Sequence, residues 1–338
     1  MRILVPLTAL IACLTPALRA QDDTHLLHFM AQQALGAIPD HAPALQDNPA
    51  NAVKLELGQK LYFDPQISLS GEVSCNSCHR LDEGGGSSTP TSTGHAWQTG
   101  PRNAPSVFNA IFNSVWFWDG RTTDVVTTGR DRTHARTAMT NEPSAIVDTL
   151  QSQDDYRDQF SRAFPDQENP ITYDNITRAL ESFLATLITP RSRFDRFLGG
   201  DMLALKSTEL AGLRHFLLKG CVSCHSGVNF GGQAYYPFGV FAAPAASVRP
   251  PGDHGRFALT NTSDDNYVFR AAPLRNVELT APYFHSGQVP TLEEAVRVMS
   301  SSQLGHEFTD QEIIEIAAFL RTLTGRIPEI TVPPPFAK

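Results

Sequence analysis

Apolar residues recur at helical spacing in both halves of the chain. The stretch from 173 to 188 carries them on one face of a predicted helix, at Ile176, Leu180, Phe183, Leu184 and Leu187. Ser144 is predicted to cap a further helix that runs towards Phe164. Stretches rich in Gly, Pro, Ser and Thr, at 80–105 and 226–290, predict long irregular loops. The chain is therefore predicted to be mainly α, with little strand.

Capping boxes predict two helix starts near the C-terminal end. Thr291–Glu294 forms one box and Thr309–Glu312 forms the other. The second box opens a helix that is expected to run to about Thr324, where Gly325 can close it.

Residues 1–20 are predicted to be a signal peptide. An apolar stretch follows Arg2, and the small residue Ala20 precedes a polar start, as in a secretory signal cut after Ala20. We therefore expect export to the periplasm, with lipoprotein anchoring through Cys13 as the alternative. No later apolar run is long enough to predict a transmembrane helix.

The net charge narrows the classes of partner. The chain carries a formal charge of −8, and loss of residues 1–20 would remove two arginines and no acid, leaving −10. An acidic protein binds the phosphate backbone poorly, so no nucleic-acid partner is predicted. The charge suits a basic soluble partner, although plain solubility explains it equally well.

The cysteines point to the chemistry. Apart from Cys13 they form two C-x-x-C-H motifs, at Cys75, Cys78 and His79 and at Cys221, Cys224 and His225. In this motif both thiols add to the vinyl groups of a haem, and the histidine becomes an axial ligand of its iron. Two covalently bound c-type haems are therefore predicted.

Three other roles for the four cysteines are weaker. A four-cysteine zinc site would require two distant motifs to converge and would leave both histidines unexplained. Redox dithiols are expected beside a βαβ pattern, which neither motif has. Two disulfides are the third alternative. Export, two copies of the motif and the lack of a spare cysteine favour haems.

Two haem motifs predict two cytochrome c-like domains with long irregular loops and little β structure. Residues 21–170 would hold the first motif and residues 171–338 the second. Weakly similar segments, 56–63 and 209–216, precede the two motifs and hint at one module used twice.

With these motifs the chain resembles the bacterial di-haem cytochrome c peroxidases. The resemblance also rests on Phe117–Arg121, Leu274–Val277 and Ala281–His285, and it spans roughly residues 50 to 325. It implies a peroxide-reacting, low-potential haem in the N-terminal domain and an electron-accepting, high-potential haem in the C-terminal domain. A homodimer is a further expectation from the resemblance.

The resemblance also implies the second ligands of both irons. His95, in a Gly-His-x-Trp segment, would bind beside His79 and would have to leave before peroxide binds. Met299 would bind beside His225, where a thioether raises the potential. Trp118 matches the family tryptophan that lies between the haems.

Two more sets of residues follow from the same resemblance. Asn103 and the backbone carbonyls of Thr280 and Pro282 match an inter-domain calcium site completed by water. Arg270 and Arg275 are expected to pair with haem propionates.

One position departs from the family pattern. Peroxide cleavage needs a proton-transfer group, for which the family uses the glutamate of a Glu-Met pair, whereas this chain has Ala138–Met139. Asp131, His134 or Glu142 could replace it, and His134 is best matched to neutral pH. Alternatively, arginines of the loop 127–137 stabilise charge with reduced turnover, or peroxide reduction is lost.

The leading hypothesis is an exported peroxidase that reduces hydrogen peroxide with electrons from a small cytochrome c or a cupredoxin. One alternative is a di-haem oxidase acting on a protein substrate, like the methylamine-utilisation enzymes. Those enzymes carry tyrosine at the position of Met299, which counts against this reading. A non-catalytic di-haem electron carrier is the other alternative, and Ala138 favours it.

Overall fold

The computed structural model describes residues 16–122, 139 and 141–331, with side chains from residue 23 onward. The fold is mainly α, as predicted, and the described residues contain one small two-stranded sheet. The helices are α1 (Pro16–Ala34), α2 (Ala52–Phe63), α3 (Cys75–Cys78), α4 (Pro143–Gln151), α5 (Asp154–Ala163), α6 (Tyr173–Ala185), α7 (Arg193–Leu198), α8 (Ser207–Leu218), α9 (Phe257–Thr260), α10 (Leu292–Gln303) and α11 (Asp310–Arg321). Strands β1 (Tyr235–Pro237) and β2 (Val268–Arg270) pair antiparallel.

The N-terminal core forms where α2 crosses α6. Gly58 of α2 allows this crossing, because a Cβ at that position would lie 1.9 Å from the carbonyl oxygen of Ala179 in α6. Leu57 and Leu61 of α2 are fully buried in the same core. Burying one leucine side chain stabilises a fold by about 1.5–3 kcal/mol, so this close contact contributes strongly.

The C-terminal core repeats the arrangement with α8 and α11. A Cβ at Gly212 of α8 would lie 1.9 Å from the carbonyl oxygen of Glu315 in α11. Beside this crossing, four buried phenylalanines pack ring against ring: Phe194, Phe216, Phe230 and Phe319. Each C-x-x-C-H motif is thus preceded by a glycine crossing, meaning a pair of helices whose close contact requires a glycine. This gives the predicted repeated module a structural counterpart.

Two helices pack across the predicted boundary between residues 170 and 171. Helix α6, which follows the boundary, packs on α2. Helix α1, which precedes it, packs on α7 and α8, and its Leu27, Ala31 and Leu35 join the C-terminal core. The boundary itself stays a prediction.

Most predicted helix starts agree with the structure. The side chain of Thr309 caps α11 in the predicted box with Glu312, and the side chain of Thr291 caps α10. Ser144 is not a cap, because Glu142 precedes the helix and Pro143 occupies its first turn, where proline is favoured. The helix expected to run towards Phe164 is divided into α4 and α5.

Helix α11 ends at Arg321, earlier than expected. Gly325 does not close it. Glycine is needed at position 325 for another reason. A Cβ there would lie 1.9 Å from the carbonyl oxygen of Thr189.

The predicted signal peptide lies mostly outside the described residues, as does Cys13. Helix α1 begins at Pro16, before the predicted cleavage point. No helix in the described part of the chain is long and apolar enough to cross a membrane.

Candidate haem sites

The first C-x-x-C-H motif lies on α3 and the turn after it. Ser74 is the N-cap of α3, and its backbone N–H donates to Ser77 Oγ at 3.0 Å. His79 follows the helix, with Nδ1 2.9 Å from the carbonyl oxygen of Pro105. Because a carbonyl only accepts, Nδ1 carries the proton and Nε2 keeps its lone pair for a metal. Burial lowers the pKa of His79, which favours this neutral form.

His95 lies at the tip of a hairpin that is closed by a bridge between Thr93 and Thr99. The two residues after it, Ala96 and Trp97, have φ angles of 51° and 61°. This left-handed conformation costs a non-glycine residue about 1–2 kcal/mol. The tip of the hairpin is therefore strained.

The hairpin contacts the first motif. Cys78 Sγ lies 3.5 Å from the carbonyl oxygen of Thr93, two residues before His95. His95 Nδ1 is buried and has no hydrogen-bond partner among the described residues. Trp97, in contrast, is 82% exposed. The structure thus brings the predicted second ligand next to the first haem motif.

The second motif begins with a 3-10 turn over Cys221–Ser223, after Gly220 with φ 105°. His225 Nδ1 lies 3.1 Å from the carbonyl oxygen of Phe230, and burial lowers the pKa of the ring. As at His79, the carbonyl fixes the proton on Nδ1 and leaves Nε2 free to bind a metal. The two motifs therefore orient their histidines in the same way.

One cavity connects the second motif with the predicted methionine ligand. Cys221, Cys224, His225 and Met299 all line it. Both predicted axial ligands and both thiols thus face a common space, as covalent haem attachment requires. Cys75 packs instead against a separate buried cluster that includes Tyr62 and Phe183, and no three metal-binding side chains of the described residues converge, which argues against a single zinc site.

The two predicted propionate partners also line the cavity but differ in their contacts. Arg270 donates from Nη1 to the carbonyl oxygen of Val115 at 3.1 Å, while its buried Nε has no partner among the described residues. Burial lowers the pKa of Arg270 to about 10. Arg275 already forms an ion pair of 2.8 Å with Asp195. A buried guanidinium with an open donor fits a haem carboxylate, so Arg270 is the better partner.

The three predicted calcium ligands line the same cavity. They are Asn103, Thr280 and Pro282. The Asn103 amide nitrogen donates to the carbonyl oxygens of Ser87 and Thr89, at 3.2 and 2.9 Å. This anchors the amide by its nitrogen and leaves Oδ1 as a hard oxygen donor, which is the type calcium prefers.

Trp118 links the segment that follows the His95 hairpin to the cavity of the second motif. It lines the cavity, and its Nε1 donates to the carbonyl oxygen of Asn103 at 2.8 Å. Its own carbonyl oxygen accepts from the backbone N–H of Arg270 at 2.7 Å. The tryptophan is therefore fixed between the segment that follows the His95 hairpin and the wall of the C-terminal cavity.

A mostly buried charge cluster around Arg102 was not predicted. Arg102 donates from Nε and Nη2 to the two oxygens of Asp253, at 2.7 and 2.6 Å, and from Nη1 to Asp119 at 2.7 Å. Arg121 also pairs with Asp119. Burial opposes ionisation of both carboxyls, but the arginines outweigh it, so the pKa of Asp119 and of Asp253 lies below the usual value. Arg102 and Asp253 are 151 positions apart, so no local pattern could reveal the contact.

His285 is a second buried residue without a predicted role. Its ring stacks on Phe269, with centroids 4.1 Å apart, and meets Trp118 edge-on at 6.2 Å. Its Nε2 lies 3.8 Å from Asp253 and has no hydrogen-bond partner among the described residues. Burial lowers the pKa of His285 to about 4.

The predicted acid–base groups mostly fall outside the described part of the chain. Asp131, His134 and Ala138 lie there, so the structure gives no position for them. Glu142 is exposed and precedes α4. The carbonyl oxygen of Met139 accepts from the backbone N–H of Leu69 at 3.0 Å, which anchors the end of the segment.

Comparison with known proteins agrees with this arrangement. A family model described as di-haem cytochrome c peroxidase matches residues 52–202. Over 330 residues the chain is 46% identical to the cytochrome c551 peroxidase of Pseudomonas aeruginosa, an alignment that covers 98% of this chain and 94% of that protein. This chain belongs to the di-haem cytochrome c peroxidase family. Membership makes it an oxidoreductase of the peroxidase class with two haems.

A second branch of relatives is more distant. The methylamine utilization protein MauG of Methylorubrum extorquens is 30% identical over 320 residues, covering 90% of this chain and 89% of that protein. The crystal structure of a MauG-like protein associated with microbial copper homeostasis matches with a TM-score of 0.75 and 27% identity, over 85% of this chain and 95% of that one. The di-haem peroxidase fold therefore extends over most of the chain.

Proposed function

We propose that this chain reduces one hydrogen peroxide to two water molecules, a reaction that consumes two protons and two electrons. The electrons come one at a time from a small cytochrome c or a cupredoxin. The contrast between the two candidate sites carries the proposal. His225 and Met299 line one cavity within packed structure, whereas the partner of His79 is on a strained hairpin tip. A ligand in packed structure suits electron uptake, and a ligand on a hairpin can move aside for peroxide.

Each residue of the sites has a definite part in this proposal. When bound, the haems would supply the one-electron chemistry and the iron that peroxide requires. The backbone carbonyls of Pro105 and Phe230 hold the proton on Nδ1 of His79 and His225 and so orient both ligands. Trp118 provides an aromatic ring between the two sites, where its hydrogen bond to Asn103 fixes it.

The proton-transfer group is the part in which this chain departs from its family. With Ala138 at the glutamate position, we assign this task to His134, whose ordinary pKa suits proton exchange near neutral pH. A positioned proton-transfer group is worth about 10²- to 10⁴-fold in rate. Loss of His134 is therefore expected to reduce turnover by about that factor.

We also propose that calcium binds where Asn103, Thr280 and Pro282 meet. The support is that all three line one cavity and that the Asn103 amide is anchored by its nitrogen. Calorimetric titration of calcium into chelator-treated holo-protein tests this. Asn103→Leu is expected to abolish the binding heat, and retention of full affinity by this variant would contradict the site.

Export completes the proposal. A signal peptide cut after Ala20 would deliver the chain to the periplasm, where small redox proteins are available as donors. Mass spectrometry of the protein purified from the periplasmic fraction tests the cleavage. A mature chain that begins at Gln21 is expected, and a lipid on Cys13 would contradict it.

The decisive experiment uses the holo-protein with calcium, reduced by one electron. We expect a high-spin haem signal and peroxide-dependent oxidation of two donor molecules for each peroxide consumed. His134→Gln is expected to lower turnover about 100-fold or more, and His41→Gln, at an exposed site, is the matched control. Low-spin haems in every redox state without turnover would instead show an electron carrier, and a long-lived oxidised state without a donor would show an oxidase.

A further inference from the structure

The histidines of the two haem motifs are oriented by backbone carbonyls that belong to contacting segments of the chain. Their Nδ1 atoms donate to the carbonyl oxygens of Pro105 and Phe230. These carbonyls lie in two segments, 105–115 and 229–233. Hydrogen bonds join the two segments directly. The carbonyl that orients one histidine is therefore tied to the carbonyl that orients the other.

Asn229 is the residue at which the two segments meet. It follows His225 by four positions and is fully buried. Its amide nitrogen donates to the carbonyl oxygen of Asn109 at 3.2 Å and to Oδ1 of Asn113 at 2.7 Å. Because a backbone carbonyl only accepts, the contact with Asn109 fixes which end of the amide faces the first segment. One side chain thus donates twice across the contact.

The other end of this amide is left without a partner. Asn229 Oδ1 is buried and makes no hydrogen bond to any of the described residues. An unpaired buried polar atom lowers the stability of a fold, and an unpaired oxygen in a native structure calls for an explanation. Here the explanation lies in the two bonds that the nitrogen donates to the other segment.

The segment 105–115 is attached to the first haem motif. The backbone N–H of Val107 donates to the carbonyl oxygen of Gly85 at 2.9 Å. Ser106 Oγ donates to the carbonyl oxygen of Gly84 at 2.7 Å. Both glycines belong to the loop that follows His79. Any shift of this segment would therefore displace the first motif as well.

Asn109 is fixed by the chain that connects α6 with α7. Its backbone N–H donates to the carbonyl oxygen of Leu187 at 2.8 Å. Its side chain exchanges two hydrogen bonds with Thr189: Nδ2 donates to Oγ1 at 2.7 Å, and Oδ1 accepts from the backbone N–H at 2.8 Å. The carbonyl that accepts from Asn229 therefore belongs to a residue held by three further bonds.

Further hydrogen bonds extend the contact along both segments. The backbone N–H of Ser114 donates to the carbonyl oxygen of Gly232 at 2.9 Å. Gln233 Nε2 donates to the carbonyl oxygen of Phe112 at 2.7 Å. Glycine is needed at position 232, because a Cβ there would lie 2.1 Å from Asn113 Oδ1. The two segments are therefore held in one register.

We propose that Asn229 is the positioning residue that holds the two iron-ligand histidines, and with them the haems, at the spacing that electron transfer between the haems needs. The connection runs through His79, Pro105, Asn109, Asn229, Phe230 and His225. It consists of amide groups, which do not take up or release electrons, so its part is to fix geometry. This inference rests on the proposed function, because it takes electrons to pass between the two haems.

A buried asparagine elsewhere in the chain provides a matched control. Asn175 of α6 is 2% exposed. Its Nδ2 donates to the carbonyl oxygen of Pro170 and to Oε1 of Gln167, both at 2.7 Å. It therefore matches Asn229 in burial and in both types of acceptor, but its partners lie within eight positions of it in the chain. Asn175→Leu removes an equivalent pair of bonds away from the contact between the two segments.

The test measures electron exchange between the haems without peroxide, so its result does not depend on peroxidase activity. A light flash with a flavin photoreductant delivers less than one electron to each molecule of oxidised holo-protein with calcium. The phase whose rate does not depend on protein concentration reports transfer between the haems. Asn229→Leu is expected to slow this phase at least about tenfold, because a misplacement of about 1 Å can cost about 10²-fold in rate.

Two further readouts separate positioning from a general loss of structure. The absorption spectrum and the reduction potential of each haem are expected to stay unchanged in Asn229→Leu. Asn175→Leu is expected to keep the wild-type rate while losing a similar amount of stability. An equal slowing in Asn175→Leu would overturn the proposal. So would a slowing that comes with shifted potentials, because Asn229 would then tune a haem and not the spacing.

A second variant carries the test if Asn229→Leu fails to bind both haems. Asn113→Ala removes one of the two acceptors and leaves Asn109, so it is expected to slow the same phase about threefold. A wild-type rate in either variant would overturn the proposal. A wild-type protein in which no electron passes between the haems would contradict both the positioning role and the proposed function. If the variants behave as expected but peroxide is not consumed, the positioning role stands and the proposed function fails.

Discussion

The indole Nε1 of Trp118 donates a hydrogen bond to the carbonyl oxygen of Asn103, at 2.8 Å. A second contact joins the same two segments. Arg102, which precedes Asn103, forms an ion pair of 2.7 Å with Asp119, which follows Trp118. Two neighbouring pairs are thus joined side by side at the wall of the cavity. The segment after the His95 hairpin is therefore tied to the segment that carries Trp118 by two adjacent contacts.

Replacing Trp118 by phenylalanine removes this hydrogen bond and the oxidisable indole while keeping an aromatic ring. We expect Trp118→Phe to lower donor-dependent peroxide turnover at least about tenfold and the free energy of unfolding by only about 1 kcal/mol. Steady-state kinetics and denaturant unfolding of the holo-protein measure the two effects. Trp116→Phe makes the same change two residues away and outside the cavity lining, and equal losses in both variants would contradict a specific role for Trp118.

Arg102 is predicted to be a major source of stability. Arg102→Gln removes the bidentate partner of the mostly buried Asp253 and one partner of the buried Asp119, and breaking a buried ion pair in this way costs about 3–5 kcal/mol. Chemical denaturation of the holo-protein measures this loss. Arg80→Gln is the control, because the ion pairs of Arg80 with Asp82 and Glu83 are exposed and such pairs contribute about 0–1 kcal/mol. A loss below about 1 kcal/mol for Arg102→Gln would show that Asp253 finds another partner.

His285 is predicted to make stability depend on pH. Burial lowers its pKa to about 4, although Asp253 partly opposes this shift. An unfolded histidine takes up a proton near pH 6.5, whereas the folded one stays neutral until about pH 4, so acid favours unfolding across this window. The free energy of unfolding should fall by about 3 kcal/mol between these pH values through His285 alone.

Comparison with His285→Gln isolates this contribution. The variant is expected to lose that part of the slope, and His306→Gln, at an exposed position, is expected to keep it. Unfolding curves recorded at a series of pH values provide the measurement. A slope unchanged by His285→Gln would mean that the buried ring titrates equally in the folded and unfolded chain.

The glycine crossings predict an unusual response to alanine. Alanine normally strengthens a helix by about 1 kcal/mol relative to glycine. Gly58→Ala and Gly212→Ala should instead destabilise the protein by about 3 kcal/mol or more, because each new methyl group meets a carbonyl oxygen across the crossing. Gly252→Ala, where nothing lies within 4 Å, is the control. Thermal unfolding of the three variants measures the change. Stabilisation by Gly58→Ala or Gly212→Ala would mean that the helix propensity of alanine outweighs the steric contact at the crossing.

Local patterns in the sequence predicted what is local in the structure. The capping side chain of Thr309 and the haem motif at Cys221 depend on residues within a few positions, so both could be read directly. The start of α4 was missed at Ser144 because the proline before it takes the first turn. Competition between two local signals decided that helix start.

Contacts between distant segments could not be read in this way. Asp253 reaches Arg102 through the fold, and the segment containing it gives no periodic signal. His285 and Trp118 stood in recognisable motifs, but their contact depends on how the two segments fold together. Met299 could be assigned only through the family resemblance, because a lone methionine on a helix is usually a core residue.

The elements that carry His95 and Met299 differ in how easily they open. Met299 lies inside the twelve-residue helix α10, so moving its side chain far means breaking several consecutive backbone hydrogen bonds. His95 lies at a hairpin tip that is held by short-range backbone hydrogen bonds within residues 92–100, and the two left-handed residues after it already store strain. Local opening therefore costs much less free energy at the first site than at the second. In a hydrogen-exchange experiment, the amides around His95 should therefore exchange long before those of α10. The same chain would keep the Met299 site closed while the His95 site opens locally.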